Sequence, residues 1–249
     1  MKAMILAAGY GERMKPLTDK IPKPLLPLDN KPILHYTLKL LKKNGIKEIV
    51  INLHHLHQMV IDAFGDGSSY GMKIHYSYEK EILGTAGGIK AAEKFLRDGT
   101  FLVINSDIIT NIDINKVLEF HRGKKAVITM VLREDADADR YGAIEIDSTG
   151  RVRKFLGITK RDEGRGTRDE GRGQPLKKLM FTGIHIFEPD IFNEIPPGRY
   201  CGITEEIYPK LINSNAHVYG YEFNGYWIDI GTHERYEKAK RDVFNNHVF

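Results

Sequence analysis

Leu6-Ala7-Ala8-Gly9-Tyr10-Gly11-Glu12-Arg13-Met14-Lys15-Pro16-Leu17-Thr18-Asp19-Lys20-Ile21-Pro22-Lys23-Pro24-Leu25-Leu26-Pro27 is the stretch that decides the fold. It begins inside a short apolar run, residues 2–8, that reads as a buried strand, and it enters a Gly-rich turn at once. A strand ending in such a turn lets backbone N–H groups approach a phosphate closely, and the glycines supply the positive φ angles required. Arg13 and Lys23 add two kinds of cation, a planar fork suited to bidentate clamping and a compact point charge. The combination implies a triphosphate site.

Two other phosphate motifs are excluded by the residues that follow. A P-loop needs Gly-Lys-Ser/Thr after its glycines, and Glu12-Arg13-Met14 follows Gly11 here. The dinucleotide fingerprint G-x-G-x-x-G is nearly present, with Met14 at the third glycine and Asp29 as a ribose acid. That fingerprint requires an unbroken helix after the turn. Pro16, Pro22, Pro24 and Pro27 forbid one, because proline lacks a donor and restricts the residue before it. The segment is therefore expected to be an extended lariat that returns Lys23 over the turn.

Working outward, the first half alternates strands and helices. Helical periodicity runs over residues 31–41, with Pro32 near its start and Gly45 beyond its end. Buried strands are predicted at 48–53, 72–78, 100–105 and 126–132, with helices at 56–64, 86–96 and 114–121 between them. Buried strands separated by helices predict an α/β fold: a three-layer, Rossmann-like, mostly parallel sheet whose ligands sit beyond the carboxyl ends of the strands. After residue 141 the rhythm changes to a hairpin (143–147 and 152–155), strands at 179–187 and 218–223, and helices at 205–211 and 233–244. These are antiparallel additions, and the chain is expected to form one domain over residues 1–249.

At 249 residues and 41% hydrophobic, the chain is long enough for one large core. No run approaches a membrane span, and the entry of Met1 directly into a core strand leaves no signal peptide, so a cytoplasmic protein is expected. Cys201 is the sole cysteine, which excludes an internal disulfide and a cysteine zinc cage. The net charge of +4 comes from scattered lysines without interleaved aromatics, a pattern for anionic small substrates rather than nucleic acid. Residues 161–173 repeat Arg-Asp-Glu-Gly-Arg-Gly in tandem without an apolar residue, and are expected to form an exposed loop.

Three further constellations carry chemistry. Val103-Ile104-Asn105-Ser106-Asp107 ends a buried strand in polar residues, placing Asp107 at the carboxyl edge of the sheet. Tyr226-Trp227-Ile228-Asp229-Ile230-Gly231 sets a second carboxylate in an apolar run, costly unless paired, hydrogen-bonded or metal-bound. Two such acids near a triphosphate suit Mg²⁺, which takes one or two carboxylates with phosphate oxygens and water. Glu79-Lys80-Glu81-Ile82-Leu83-Gly84-Thr85-Ala86-Gly87-Gly88-Ile89 offers three glycines around Thr85 whose backbone could lie against a base or ribose. His54, His55 and His57 fit no helix-face metal pair and read as surface or half-buried residues.

The N-terminal stretch, with Pro16-Leu17-Thr18 and Pro22-Lys23-Pro24, resembles the signature of the sugar-1-phosphate nucleotidyltransferases, and the similarity covers nearly the whole chain. The resemblance implies a nucleotidyltransferase or GT-A-like sheet, and transfer of a nucleoside monophosphate from an NTP to a sugar-1-phosphate with release of pyrophosphate. It assigns the nucleotide to Ala8, Gly9, Gly11, Glu12, Arg13, Lys23, Gly84, Thr85, Gly87 and Gly88, with Arg13, Lys23 and Asp107 catalytic. It assigns the sugar phosphate to Asn105, Gly142 and Thr182, and Mg²⁺ to Asp107 and Asp229.

Departures lie on the sugar side. Phe155-Leu156-Gly157-Ile158 lacks the lysine many members carry there, and Thr182-Gly183 replaces Asn-x-Gly. No hexapeptide β-helix follows Asp229, so a second acyltransferase activity is not expected. Residues 83–87 resemble mannose-1-phosphate guanylyltransferases; Ala7-Ala8-Gly9, residues 65–71 and Phe181-Thr182-Gly183-Ile184 resemble N-acetylmuramate-1-phosphate uridylyltransferases. The expectation is GTP or UTP with a sugar-1-phosphate, the guanylyl reading preferred, and a homo-oligomer left open. A GT-A glycosyltransferase is disfavoured because a diphosphate donor has no γ-phosphate for Arg13 and Lys23. A non-catalytic sugar-nucleotide sensor need not keep both Asp107 and Asp229.

Overall fold

The structure is a computed structural model that describes residues 1–135, 138, 143–155, 176–245 and 248. The elements in chain order begin with β1 (Lys2–Leu6), the short pair β2 (Pro27–Leu28) and β3 (Lys31–Pro32), α1 (Ile33–Lys43), β4 (Glu48–Leu53), α2 (His57–Phe64) and β5 (Lys73–Tyr78). They continue with α3 (Gly84–Ala91), α4 (Glu93–Leu96), β6 (Phe101–Asn105), β7 (Ile108–Thr110), α5 (Ile114–Gly123) and β8 (Ile128–Arg133). The hairpin β9 (Ala143–Ile146) and β10 (Val152–Phe155) precedes β11 (Lys177–Phe187), β12 (Val218–Glu222) and β13 (Trp227–Asp229). Helices Tyr208–Asn213 and His233–Phe244 flank these last two strands.

Among the described residues nine strands form one sheet, in the order β10-β9-β11-β6-β1-β4-β5, with β8 pairing both β11 and β12. The centre, β6-β1-β4-β5, is parallel. β11 runs antiparallel to β6, β8 and β9. This is the α/β class expected from the alternation, antiparallel additions included.

Strand periodicity explains the layers, because successive side chains point to opposite faces. Ala3 and Ile5 of β1 join Leu34, Leu38, Val60, Phe64 and Val117 from α1, α2 and α5 on one face. Met4 between them joins Ala86, Ile89 and Leu96 from α3 and α4 on the other. Cys201 lies buried in that second layer.

The parallel register puts polar residues in one row at the carboxyl edge: Asn105 pairs with Leu6, Leu6 with Asn52, and Asn52 with Ser77. A third apolar cluster lies outside the main sheet. Met14, Leu26 and Leu28 of the lariat pack there with Ile109, Ile228, Ile230, Tyr236 and Val243. Its framework is the antiparallel pair β7–β13, in which Asp229 faces Ile108. Among the described residues no helix is long and apolar enough to cross a membrane.

Two local expectations change. The lariat is not extended throughout but folds into three 3₁₀ turns, Glu12–Met14, Leu17–Asp19 and Lys23–Leu25, which its prolines tolerate because each turn is a single i→i+3 step. The helix expected over 205–211 begins instead as a π-helical turn, Ile203–Ile207, and continues as Tyr208–Asn213.

Candidate active site

The turn after β1 is closed by its own backbone. Met14 N–H donates to the Gly11 carbonyl at 2.8 Å, and Thr18 Oγ1 donates to the same oxygen at 2.9 Å. Gly11 is left-handed, φ 68°, and a Cβ there would stand 2.9 Å from Thr18 Cγ2, so both conformation and space require glycine. Gly9 differs: nothing lies within 4 Å of where its Cβ would be, and its backbone faces open space. Ala8 is buried.

A cavity of about 580 Å³ lies over this turn, within the range of small-molecule sites. Gly9, Tyr10, Gly11, Glu12 and Arg13 line one side, Lys23 and Pro24 another, and Asn105, Ser106, Asp107 and Gly231 the floor and far wall. The fold thus brings together expected site residues that the sequence separates widely. Lys23 Nζ pairs with Asp107 Oδ2, and both side chains are mostly buried.

Asp229 arrives through β13. The Ile230 N–H donates to the Asp107 carbonyl at 2.8 Å, and Asp229 is in register with Ile108, so the two acids belong to adjacent positions of one small sheet. Asp229 pairs with Arg235 of the closing helix. Gly231, which sequence reading did not single out, separates two charged groups. A Cβ there would lie 2.6 Å from Asp229 Oδ2 and 3.2 Å from both Arg13 terminal nitrogens. Each acid carries a cationic neighbour, so the pair is charge-compensated. Among the described residues no three His, Cys, Asp or Glu side chains cluster as ligands. Two carboxylates of this kind are the number Mg²⁺ takes beside phosphate oxygens and water.

In the segment 83–88 the spaces left by the missing side chains are filled by protein, so on their Cβ side these glycines serve packing. A Cβ at Gly84 (φ 72°) would meet the Cys201 carbonyl oxygen at 2.6 Å, and one at Gly87 the Arg199 carbonyl at 2.9 Å. The Cys201 carbonyl accepts from Ala86 and Gly87 N–H, and Thr85 Oγ1 accepts from Ile203 N–H at 2.8 Å. Gly84, Thr85 and Gly87 thus let residues 199–203 lie backbone to backbone on the start of α3. Gly88 makes room for Glu79 and Asn52.

Thr182 is corrected as a sugar-side contact. It is buried, and its Oγ1 donates to the Val131 carbonyl at 2.8 Å, so the hydroxyl serves the sheet; its own carbonyl accepts from Trp227 Nε1 at 3.0 Å. Asn105 stands over Gly183, where a Cβ would lie 2.6 Å from the amide nitrogen, so the missing side chain leaves room for it. Gly142, residues 156–158 and the 161–173 repeat lie outside the described residues. His54 and His57 are half-buried, as expected; His54 Nε2 contacts the Tyr10 hydroxyl at 3.0 Å and its Nδ1 the Glu79 carbonyl at 2.8 Å.

The pairing of buried Asn52 with buried Glu79 was not foreseen. Asn52 carried a weak signal, a polar residue at the end of a buried strand, the same signal that marked Asn105. Glu79 opened the stretch 79–89, but its burial carried no local signal, because it depends on neighbours distant in sequence.

The chain is similar to known proteins. The chain is 37% identical to the N-acetylmuramate alpha-1-phosphate uridylyltransferase of Neisseria meningitidis serogroup B, over 96% of this chain and 97% of that one. It is 31% identical to the mannose-1-phosphate guanylyltransferase of Mycobacterium tuberculosis, over 97% of this chain but only 64% of that protein's length. Among solved structures, HddC from Yersinia pseudotuberculosis complexed with GMP-PN superposes with a TM-score of 0.78 at 27% identity, covering 97% of this chain and 99% of HddC. The profile described as nucleotidyl transferase matches residues 2–246, and with the Gly-rich turn, Lys23 and Asp107 gathered at one cavity, the chain belongs to the nucleotidyl transferase family.

Proposed function

We propose that this protein transfers a nucleoside monophosphate from an NTP to a sugar-1-phosphate, forming a nucleotide sugar and pyrophosphate, and that residues 1–249 act as one catalytic domain. The observation that carries the reading is the convergence of the Gly9–Arg13 turn, Lys23 and Asp107 on one cavity. Family membership and relatives bearing names of this activity support it.

The chemistry needs little beyond placement and charge. A phosphate monoester has a second pKa near ~6, so the sugar-1-phosphate is already a nucleophile at pH 7 and requires no general base. Its oxygen attacks the α-phosphorus in line, and the bond to the pyrophosphate breaks. Backbone N–H groups of the Gly9–Arg13 turn bind the triphosphate; Arg13 and Lys23 balance the charge that grows on the leaving group. Asn105 orients the sugar phosphate. Asp107 and Asp229 would hold Mg²⁺, which would supply charge neutralisation for the reacting phosphates.

For substrate we favour GTP with mannose-1-phosphate or a similar sugar phosphate, on residues 83–87 and the likeness to HddC complexed with GMP-PN. The 37% identity to an N-acetylmuramate alpha-1-phosphate uridylyltransferase favours a second reading, UTP with an N-acetylated sugar phosphate. The test is pyrophosphate release over four NTPs against mannose-, glucose-, GlcNAc- and MurNAc-1-phosphate, with Mg²⁺. Release confined to one pair supports the transferase and names its substrates. Silence throughout, from folded protein, overturns it in favour of a sugar-nucleotide sensor.

A further inference from the structure

Neither Asn52 nor Glu79 is among the residues assigned to bind nucleotide, sugar phosphate or metal, yet two routes from the phosphate turn converge on Glu79. In the first, buried route, the Asn52 amide bridges two strands' ends. Its Oδ1 accepts the Ala7 N–H at 2.8 Å, directly after β1, and its Nδ2 donates to Glu79 Oε1 at 2.7 Å. Glu79 Oε2 then accepts the Leu83 N–H at 2.9 Å, immediately before α3. In the second, at the surface, the Tyr10 hydroxyl contacts His54, and His54 contacts the Glu79 carbonyl.

Asn52 is 3% and Glu79 2% exposed, so these bonds have no competition from bulk water. A buried carboxylate is costly unless its oxygens are met by donors, and here each oxygen meets one. α3 comes down onto the pair: a Cβ at Gly88 would lie 2.7 Å from Glu79 Oε1 and 2.8 Å from Asn52 Nδ2. A helix interior gives up about 1 kcal/mol by using glycine in place of alanine, and the close approach of this pair is the reason it does so at 88.

We infer that Asn52 and Glu79 are a positioning pair that fixes the segment 83–88 at a set distance from the Gly9–Arg13 turn, and so sets affinity for the nucleotide without touching the reacting atoms. The inference rests on the reading that this turn and the segment 83–88 hold the two ends of one nucleotide. Sugar-phosphate binding, assigned to Asn105 on β6 with β1 between it and the pair, is independent of the pair.

The hydrogen-bond polarity provides a test that a general loss of packing cannot imitate. Glu79→Gln presents one acceptor to two donors, and its new NH₂ opposes either Asn52 or Leu83. Asn52→Asp places a carboxylate against a carboxylate. Combined, the two changes restore every bond: the new amide donates to the new carboxylate and accepts from Leu83, and the carboxylate's other oxygen keeps Ala7. Each single variant is expected to raise the KM for the NTP about tenfold, with the KM for sugar-1-phosphate unchanged and circular dichroism like wild type. The double variant recovers most of the loss. Equal rises in both KM values, no change in the singles, or no recovery in the double overturns the pair.

Titration calorimetry of GTP and UTP with Mg²⁺ separates this result from failure of the proposed function. A wild type that binds nucleotide, turns over nothing, and shows the swap pattern in Kd keeps the positioning pair and loses the transferase. A wild type that binds neither nucleotide overturns both.

Discussion

Lys23 and Asp107 stand 84 positions apart in the chain and meet as an ion pair at the wall of the cavity. The pairing joins the lariat to the end of β6, so cation and acid lie side by side on the wall of the cavity. Because both side chains are mostly buried, removing either leaves its partner uncompensated in a site of reduced dielectric.

Asp107→Asn is therefore expected to lower kcat by about 10²- to 10³-fold, the scale of losing one group that stabilises transition-state charge. The backbone bond from Ile230 N–H to the Asp107 carbonyl is untouched by this change. Thermal denaturation should shift by only a few degrees. Steady-state pyrophosphate release gives the kinetic half of the comparison, and near-wild-type kcat would remove Asp107 from the chemistry.

The proposed Mg²⁺ site predicts a metal requirement that runs through Asp229. Chelation with EDTA should abolish turnover, and added Mg²⁺ should restore it. In Asp229→Asn, half-activation should need about tenfold more Mg²⁺, while Arg235 loses its carboxylate partner. A Mg²⁺ titration of initial rate decides the matter; an unchanged midpoint would leave Asp229 a structural partner of Arg235 alone.

Gly11→Ala tests the turn itself. A left-handed φ of 68° carries a penalty of about 1–2 kcal/mol for a residue with Cβ, and the 2.9 Å approach to Thr18 Cγ2 adds to it. Urea unfolding should show a loss of at least that size, together with a higher KM for the NTP. Gly9→Ala, with open space at its Cβ, should leave stability nearly unchanged and affect nucleotide binding alone.

His185 gives the fold an acid limit. Burial holds its imidazole down to a pKa of about 3, against the usual value of 6.5. Its Nδ1 meets the Tyr208 hydroxyl, and its Nε2 has no hydrogen-bond partner among the described residues. Between pH 6.5 and 3 the unfolded chain binds a proton here that the folded chain does not, so stability falls as pH drops through that window. His185→Gln removes the titrating group and should flatten the slope of unfolding free energy against pH. Identical slopes in the two proteins would refute the assignment.

The legibility of the sequence was uneven, for physical reasons. The central strands and α1, α2 and α5 follow from local alternation and periodicity, and the closing helix 233–244 was found with its observed bounds. Lys23 and Asp107 could be placed because a Gly-rich turn and a polar strand end are local signals. The β7–β13 pair was not legible: each strand is three residues long, and they pair only across the whole second half of the chain. The glycines of 84–88 were noticed, but the packing they permit was not legible, since an absent side chain makes room equally for a ligand or for residues 199–203. Thr182 was misread for a related reason. A hydroxyl's direction is set by the register of β11 against β8, which shifts between Phe181 and His185.

The packing of the lariat against the closing helix bears on how the polypeptide matures. The Tyr236 hydroxyl donates to the Pro27 carbonyl 209 positions earlier, and His233 contacts the Lys15 carbonyl. Residues 2–6 are made long before residues 226–243, and the loop carrying Lys23 has no floor until the later segment exists. Assembly of this wall of the cavity therefore waits on residues 226–243, and a nascent chain cut short of them would lack it.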